Sequence, residues 1–191
     1  MLSQTFFSLT IVPRASPDSL GGAQERRLPN EYKHQEQTEW CWAACMQMVL
    51  QANGTKVTQC ALANAALALT GCCEHPSSSL CNKPLPVFSI SAEWARFHHR
   101  ATFVDASVPF KTVISEIRDN NNPVEVGLKW AMNRGGHAVL IVGYSEADAE
   151  DVIVLDPMEG ERAITYNELV KAYNRGEWRW SWTGVKPDGT V

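Results

Sequence analysis

The sequence predicts an α+β fold, with a helical N-terminal half followed by a C-terminal sheet. Two observations carry this. Between Cys41 and Asp119 the apolar residues recur at helical spacing, whereas from Val124 onward they gather in short β-branched runs broken by Gly, Asn and Asp. Helices first and strands second is the order of an α+β domain. A chain of 191 residues is long enough for one such domain and its core, and too short for two ordinary ones.

Residues 1–30 hold Pro13, Pro17, Pro29, Gly21 and Gly22 without a sustained hydrophobic period, the composition of a flexible arm. Structure is expected from near Tyr32, and residues 31–191 form the single predicted domain. The first helix spans Cys41 to Ala52, with Thr38 and Glu39 in cap-like positions and Asn53-Gly54 as its stop. A second runs from Thr58, a good capping residue, to Thr70 and is closed by Gly71. Ile90–His99 and Lys111–Asp119 are read as two further helices, the latter ended by Asn120-Asn121-Asn122-Pro123. The strands are Val124–Trp130, Ala138–Tyr144, Val152–Leu155 and Ala163–Thr165, followed by a helix at Tyr166–Tyr173. Glu177–Val185 alternates, which predicts Trp178, Trp180 and Trp182 on one strand face, as core or cleft wall.

Composition narrows the functional classes. A formal charge of −4, with basic residues scattered apart from Arg26-Arg27, provides no electrostatic footprint for nucleic acid or an anionic membrane. No apolar run approaches the roughly 20 residues that cross a bilayer. Met1–Val12 is mildly apolar, but it lacks a basic flank and is interrupted by Thr5, Ser8 and Thr10, so it reads as a poor signal peptide.

The chemistry is concentrated in three places. In Gln35-Glu36-Gln37-Thr38-Glu39-Trp40-Cys41-Trp42, a cysteine stands where a helix begins. Cysteine attacks carbonyl carbon as a thiolate, which unpaired N–H groups at a helix N-terminus and a neighbouring imidazole both favour. Cys45 lies one turn deeper on the same face, shielded and inert, so Cys41 is the candidate nucleophile. An oxyanion formed by the attack needs donors, and the Cys41 N–H and the Gln35 amide are available; Gln37 is a rival, but spacing favours Gln35. In Gly135-Gly136-His137-Ala138-Val139, a histidine opens an apolar strand behind glycines that let backbone approach closely. Asp156 ends the neighbouring strand before Pro157, where an acceptor would orient the His137 ring.

The pattern Gln-x5-Cys-Trp, then Gly-Gly-His-Ala-Val, then a strand ending Asp-Pro resembles the papain-like cysteine proteases over roughly Tyr32 to Val185. More closely, it resembles the bacterial branch of effector and toxin proteases and of peptidases that trim double-glycine leaders. The resemblance implies Cys41 as nucleophile, Gln35 as oxyanion donor, His137 as base and Asp156 as orienting residue. It also implies a helical lobe packed on an antiparallel sheet, with the cleft between them. Plant and lysosomal members usually carry Asn where Asp156 stands; the bacterial branch often carries Asp. The function so implied is a thiol endopeptidase acting on protein substrates as a monomer, without cofactor or metal. The weak signal and the bacterial resemblance point to a toxin or effector delivered into a target cell by a specialised secretion system, with an immunity protein as a possible partner. An acyltransferase or deamidase on the same triad, and a silent binding module, are the alternatives.

Each residue has a plainer reading. Cys41 alone would be a buried structural thiol, His137 a strand-capping residue, and Asp156 a turn opener. Six cysteines are many for a cytosolic enzyme. Cys60, Cys72, Cys73 and Cys81, with His75, lack Cys-x2-Cys spacing for zinc. A disulfide joining Cys60 or Cys45 to the Cys72-Cys73 step is the better reading. His34, His98 and His99 are read as surface residues. Ser19-Leu20-Gly21-Gly22-Ala23 resembles a double-glycine cleavage site, which would permit self-processing after Gly22; a linker is the simpler reading.

Overall fold

The structure is a computed structural model and describes residues 24–133, 135–147 and 149–189. The Gly21-Gly22 motif and the apolar leader lie outside the described residues. Helix α1 (Cys41–Ala52) is almost wholly buried and packs on both the sheet and α2 (Gln59–Leu67). Thr58 caps α2 through its side chain, as its position predicts. The helix stops earlier than predicted, because Ala68 adopts the left-handed conformation three residues before Gly71. Helices α3 (Val87–Arg96) and α4 (Phe110–Arg118) each begin directly after a proline, whose fixed φ suits a helix start.

Among the described residues, seven strands form one antiparallel sheet. They are β1 (Glu25–Arg27), β2 (His99–Val104), β3 (Val124–Trp130), β4 (Gly136–Ser145), β5 (Asp151–Asp156), β6 (Gly160–Thr165) and β7 (Gly176–Pro187). The order is β2-β7-β3-β4-β5-β6, and β1 pairs with the far end of β4 at Gly143–Ser145, beyond the last β3 partner, Ile141. Between β6 and β7 lies a one-turn helix, α5 (Tyr166–Val170), closed by a Thr165–Glu168 capping box.

Four expectations are corrected. Order begins before Tyr32: Glu25–Arg27 pairs with β4, Leu28 and Asn30 are buried, and Arg27 reaches Glu161 at 2.7 Å. Polar strand residues on an edge carry no apolar alternation, so this strand leaves little sequence signal. The third helix ends before His98, whose positive φ turns the chain into β2. His99 is therefore a buried strand residue, its Nδ1 2.8 Å from the Phe97 carbonyl and its Nε2 3.0 Å from the Asn53 amide. The tryptophan ladder is split by a β-bulge. Gly127 pairs with Trp180 and Leu128 with Trp178, so Arg179 is an extra residue that turns Trp178 to the opposite face. Its indole N–H then bonds the buried Ser181 hydroxyl at 2.9 Å. Finally, the helix predicted to reach Tyr173 ends at Val170, before three residues with positive φ.

The cysteines outside α1 form two bridges, Cys60–Cys73 and Cys72–Cys81. Cys60 thus joins the Cys72-Cys73 step, one of the alternatives left open by the sequence, while the Cys72–Cys81 bridge had no counterpart there. Cys45 is a free thiol and takes no part.

Candidate active site

Strand β4 starts at Gly136 because the strands there approach too closely for a side chain. A Cβ on Gly136 would lie 2.6 Å from the Leu128 carbonyl oxygen. His137 follows, 8% exposed, in the mouth of a cavity of about 360 Å³ that Cys41 and Trp42 line from the other lobe. Trp180, Trp182, Leu85 and Ile90 make its walls apolar. Gly127 leaves room for them, since a Cβ there would meet Trp180 at 3.0 Å and Trp182 at 3.4 Å. A larger recess of about 690 Å³ opens beside the C-terminal end of α1 and contains none of the candidate residues.

The thiol stands at the first residue of α1, half-buried, while Cys45 is fully buried. Burial, and then the nearby Glu125 charge, push the Cys45 thiol well above its ordinary range. Thr38 and Glu39 do not cap the helix. The N-cap is Trp40, which makes no side-chain capping bond, and no acidic residue lies in the first turn. The positive end of the helix dipole is thus left uncompensated at Cys41. Trp40 and Trp42 are pinned from the disulfide loop instead, their indole N–H groups donating to the Cys81 carbonyl at 2.8 Å and the Lys83 carbonyl at 3.2 Å.

Nε2 of His137 lies 2.7 Å from Oδ1 of Asp156, which leaves Nδ1 for the sulfur. Burial opposes a charged imidazole, but the Asp156 hydrogen bond, followed by the Cys41 contact, outweighs it and raises His137 to about 9. Asp156 is 1% exposed. Burial pushes its carboxyl up, and the His137 bond and charge, together with the Met158 amide and the Tyr173 hydroxyl, more than offset this, so the group is held below the usual range. Pro157 has no N–H, and the next two amides, Met158 and Glu159, fold back on Oδ1 at 2.9 and 3.3 Å. Asp156 therefore accepts both from the turn that it opens and from the imidazole of His137. The Trp130 indole stacks on His137, with ring centroids 6.0 Å apart.

Gln35 is buried near this site but differently engaged. Its Nε2 donates to the Gln37 carbonyl at 2.9 Å and the Thr38 carbonyl at 2.8 Å, which commits both amide hydrogens, and Oε1 is buried without a partner.

A model of the Peptidase_C39 like family matches residues 28–184. The chain belongs to this family. It is a papain-like cysteine protease, with the helical lobe and antiparallel sheet of that fold. Three solved structures of C39-type peptidases share the fold at low identity. A double-glycine motif protease from an AMS/PCAT transporter, solved with its leader peptide, is 15% identical, with a TM-score of 0.53 over 84% of this chain and 94% of that one. The peptidase domain of Streptococcus ComA, described as a bi-functional ABC transporter of a quorum-sensing pathway, is 12% identical, with a TM-score of 0.54 over 83% and 98%. A C39-like peptidase from Bacillus anthracis is 13% identical, with a TM-score of 0.57 over 85% and 99%. No curated protein sequence matches significantly.

Within this C39-like fold, two residues near the site had no signal beforehand. Tyr173 donates its hydroxyl to Oδ2 of Asp156 at 3.0 Å, from a run of left-handed backbone at Ala172, Tyr173 and Asn174 with φ of 45°, 56° and 62°. Such backbone costs an L residue roughly 1–2 kcal/mol. Glu125, on β3 beside the cleft, is fully buried; its Oε2 accepts the Trp94 indole N–H at 2.8 Å and its Oε1 has no partner. Burial raises it to about 7 against that hydrogen bond. A buried carboxyl in a strand that reads as apolar is invisible to pattern analysis. Among the described residues, no group of three or more His, Cys, Asp or Glu is arranged to hold a metal, and no helix is long and apolar enough to cross a membrane.

Proposed function

We propose that this protease is a thiol endopeptidase working through Cys41, His137 and Asp156. One observation carries the reading: a free cysteine at an uncapped helix start shares a cleft with an imidazole held at 2.7 Å by a buried carboxylate. Cys41 attacks the peptide carbonyl as thiolate, and His137 gives its proton to the departing amine. Water then enters, His137 takes a proton from it, and the acyl group leaves Cys41. Asp156 keeps the ring turned so that Nδ1 meets the sulfur. The Cys41 N–H is one oxyanion donor. Gln35 supplies the second by exchanging one of its two carbonyl partners for the oxyanion, a rearrangement that a bound acyl group would drive.

The preference for Gly-Gly sites is supported by the double-glycine motif protease among the structural neighbours. A role as a bacterial effector or interbacterial toxin, delivered from the producing cell, is supported by the two disulfides, which persist outside reducing compartments. That role would bring with it a cognate immunity or inhibitor protein as partner.

The test compares the wild-type protein with Cys41→Ala after incubation with a bacterial lysate, reading new protein termini by mass spectrometry. New N-termini preceded by Gly-Gly, absent from the variant sample, are the expected result. Termini that persist with Cys41→Ala would overturn the assignment, and acylated or deamidated products without new termini would favour a transferase or deamidase.

A further inference from the structure

We infer that Tyr173 is a positioning residue for the reaction: its hydroxyl fixes the free oxygen of Asp156 and so sets how strongly that carboxylate holds the His137 imidazolium. The inference rests on the triad reading above and assigns a fourth member to it.

The geometry has three independent parts. First, Asp156 divides its oxygens: Oδ1 receives His137 and the two turn amides, while Oδ2 receives the Tyr173 hydroxyl at 3.0 Å. A carboxylate held at both oxygens cannot rotate about its last bond, so Oδ1 stays in line with Nε2. Second, the chain adopts an unfavourable conformation to deliver the phenol. Ala172, Tyr173 and Asn174 all have positive φ, in a turn closed by the Tyr173 N–H donating to the Glu168 carbonyl at 2.9 Å and the Arg175 N–H to the Ala172 carbonyl at 2.9 Å. Asparagine tolerates this region, whereas alanine and tyrosine rarely adopt it, and such strain gathers where the surrounding structure needs a particular placement. Third, the Arg162 guanidinium lies 5.1 Å from the Tyr173 ring centroid, where its charge draws electron density from the ring and makes the hydroxyl a stronger donor.

The consequence is electronic as well as geometric. A donor on Oδ2 takes up part of the carboxylate charge, which loosens the grip of Oδ1 on the imidazolium proton. Without the donor, the imidazolium is held more tightly and releases its proton to the leaving amine less readily. A separate recess of about 310 Å³ lies where Tyr173 meets Asp156; the charged and titratable groups around it are His137, Glu159, Arg162, Glu168 and Arg175, with Cys41 and Cys45 facing it from α1 and Tyr32 beside Pro157 on the chain that enters from the helical lobe. Tyr173→Phe leaves all of them in place, along with the ring and its contact with Arg162.

The experiment measures kcat, KM and the pH profile of cleavage for wild type, Tyr173→Phe, Arg162→Gln and Cys41→Ala. Tyr173→Phe is expected to lower kcat about fivefold, with KM unchanged within twofold, and to move the alkaline limb of kcat/KM upward by about half a pH unit. Arg162→Gln should move both readings in the same direction by less. A Tyr173→Phe profile that superimposes on wild type overturns the inference, as does a lower kcat with an unmoved limb, which marks a packing role only. Should Tyr173→Phe fold poorly, the Nε2–H proton resonance of His137 in Arg162→Gln becomes the reading, and no displacement from wild type overturns the inference. Undiminished cleavage by Cys41→Ala would instead refute the triad reading itself, a separately recognisable outcome.

Discussion

Removing the Cys72–Cys81 bridge should impair catalysis, whereas removing Cys60–Cys73 should only destabilise the fold. The bridges close segments of similar length, with sequence separations of 9 and 13, so loop-closure entropy assigns each about 3 kcal/mol. Their neighbourhoods differ. The stretch Cys81–Lys83 holds both flanks of the candidate nucleophile. The Cys81 and Lys83 carbonyls accept the Trp40 and Trp42 indoles, Asn82 Oδ1 accepts the Glu39 N–H at 3.0 Å, and Asn82 Nδ2 donates to the Thr38 hydroxyl at 2.9 Å. The Cys60–Cys73 bridge joins α2 to the start of the same loop, with Cys73 beside Asn64. Paired Cys→Ala variants should each lose about 3 kcal/mol in urea unfolding. Misplacement of a nucleophile by an ångström lowers rates by about a hundredfold, so a partial loosening is expected to cut kcat/KM about tenfold in Cys72→Ala/Cys81→Ala. The Cys60→Ala/Cys73→Ala enzyme should match wild type once corrected for its folded fraction. Equal losses of activity in the two variants, or none in either, would refute the reasoning.

The remaining predictions concern titration and close packing. Because the folded protein raises His137 to about 9 from 6.5, the stabilisation from its pairing is complete below about pH 6.5 and is lost as pH rises through 9. Activity should show an alkaline limb near that value, and Asp156→Ala, which removes the acceptor altogether, should move it down and reduce kcat by a hundredfold or more, read from a pH–rate profile. For Glu125, folding raises the carboxyl to about 7 from 4.5, so stability should fall as pH rises between those values and level off above 7. Glu125→Gln should flatten that slope in urea titrations and gain up to about 3 kcal/mol at pH 8. Gly136→Ala brings a methyl group to 2.6 Å from the Leu128 carbonyl oxygen, a backbone atom that cannot turn aside. It should cost about 1–3 kcal/mol by calorimetry and displace His137 enough to abolish detectable cleavage.

What was legible in the sequence follows from where the signals are local. Helix α1 matches its predicted bounds, because apolar spacing and Asn53-Gly54 define it without help from distant residues. His137 and Asp156 were legible as neighbours because the start of one strand lies beside the end of the next in an antiparallel hairpin, here with Asp156 one step past the Leu140–Leu155 pair. What escaped depends on long-range geometry. The bulge that turns Trp178 away from Trp180 is set by pairing with β3, and β1 exists only because β4 runs past the end of β3. Tyr173 reads as the end of an amphipathic helix; only the left-handed turn, held by contacts to Glu168 and Asp156, reveals where its hydroxyl goes. Spacing picks out Gln35 as an oxyanion donor but gives no sign of the two local carbonyls that its amide serves in the structure.

Residue-resolved alkylation by iodoacetamide at neutral pH, followed by mass spectrometry, bears most directly on the pairing of Cys41 with His137. Cys41 should be modified at least tenfold faster than the buried Cys45 in the native protein, and His137→Ala should slow Cys41 while leaving Cys45 unchanged. Equal labelling of the two thiols, or a Cys41 rate indifferent to His137, would contradict the account.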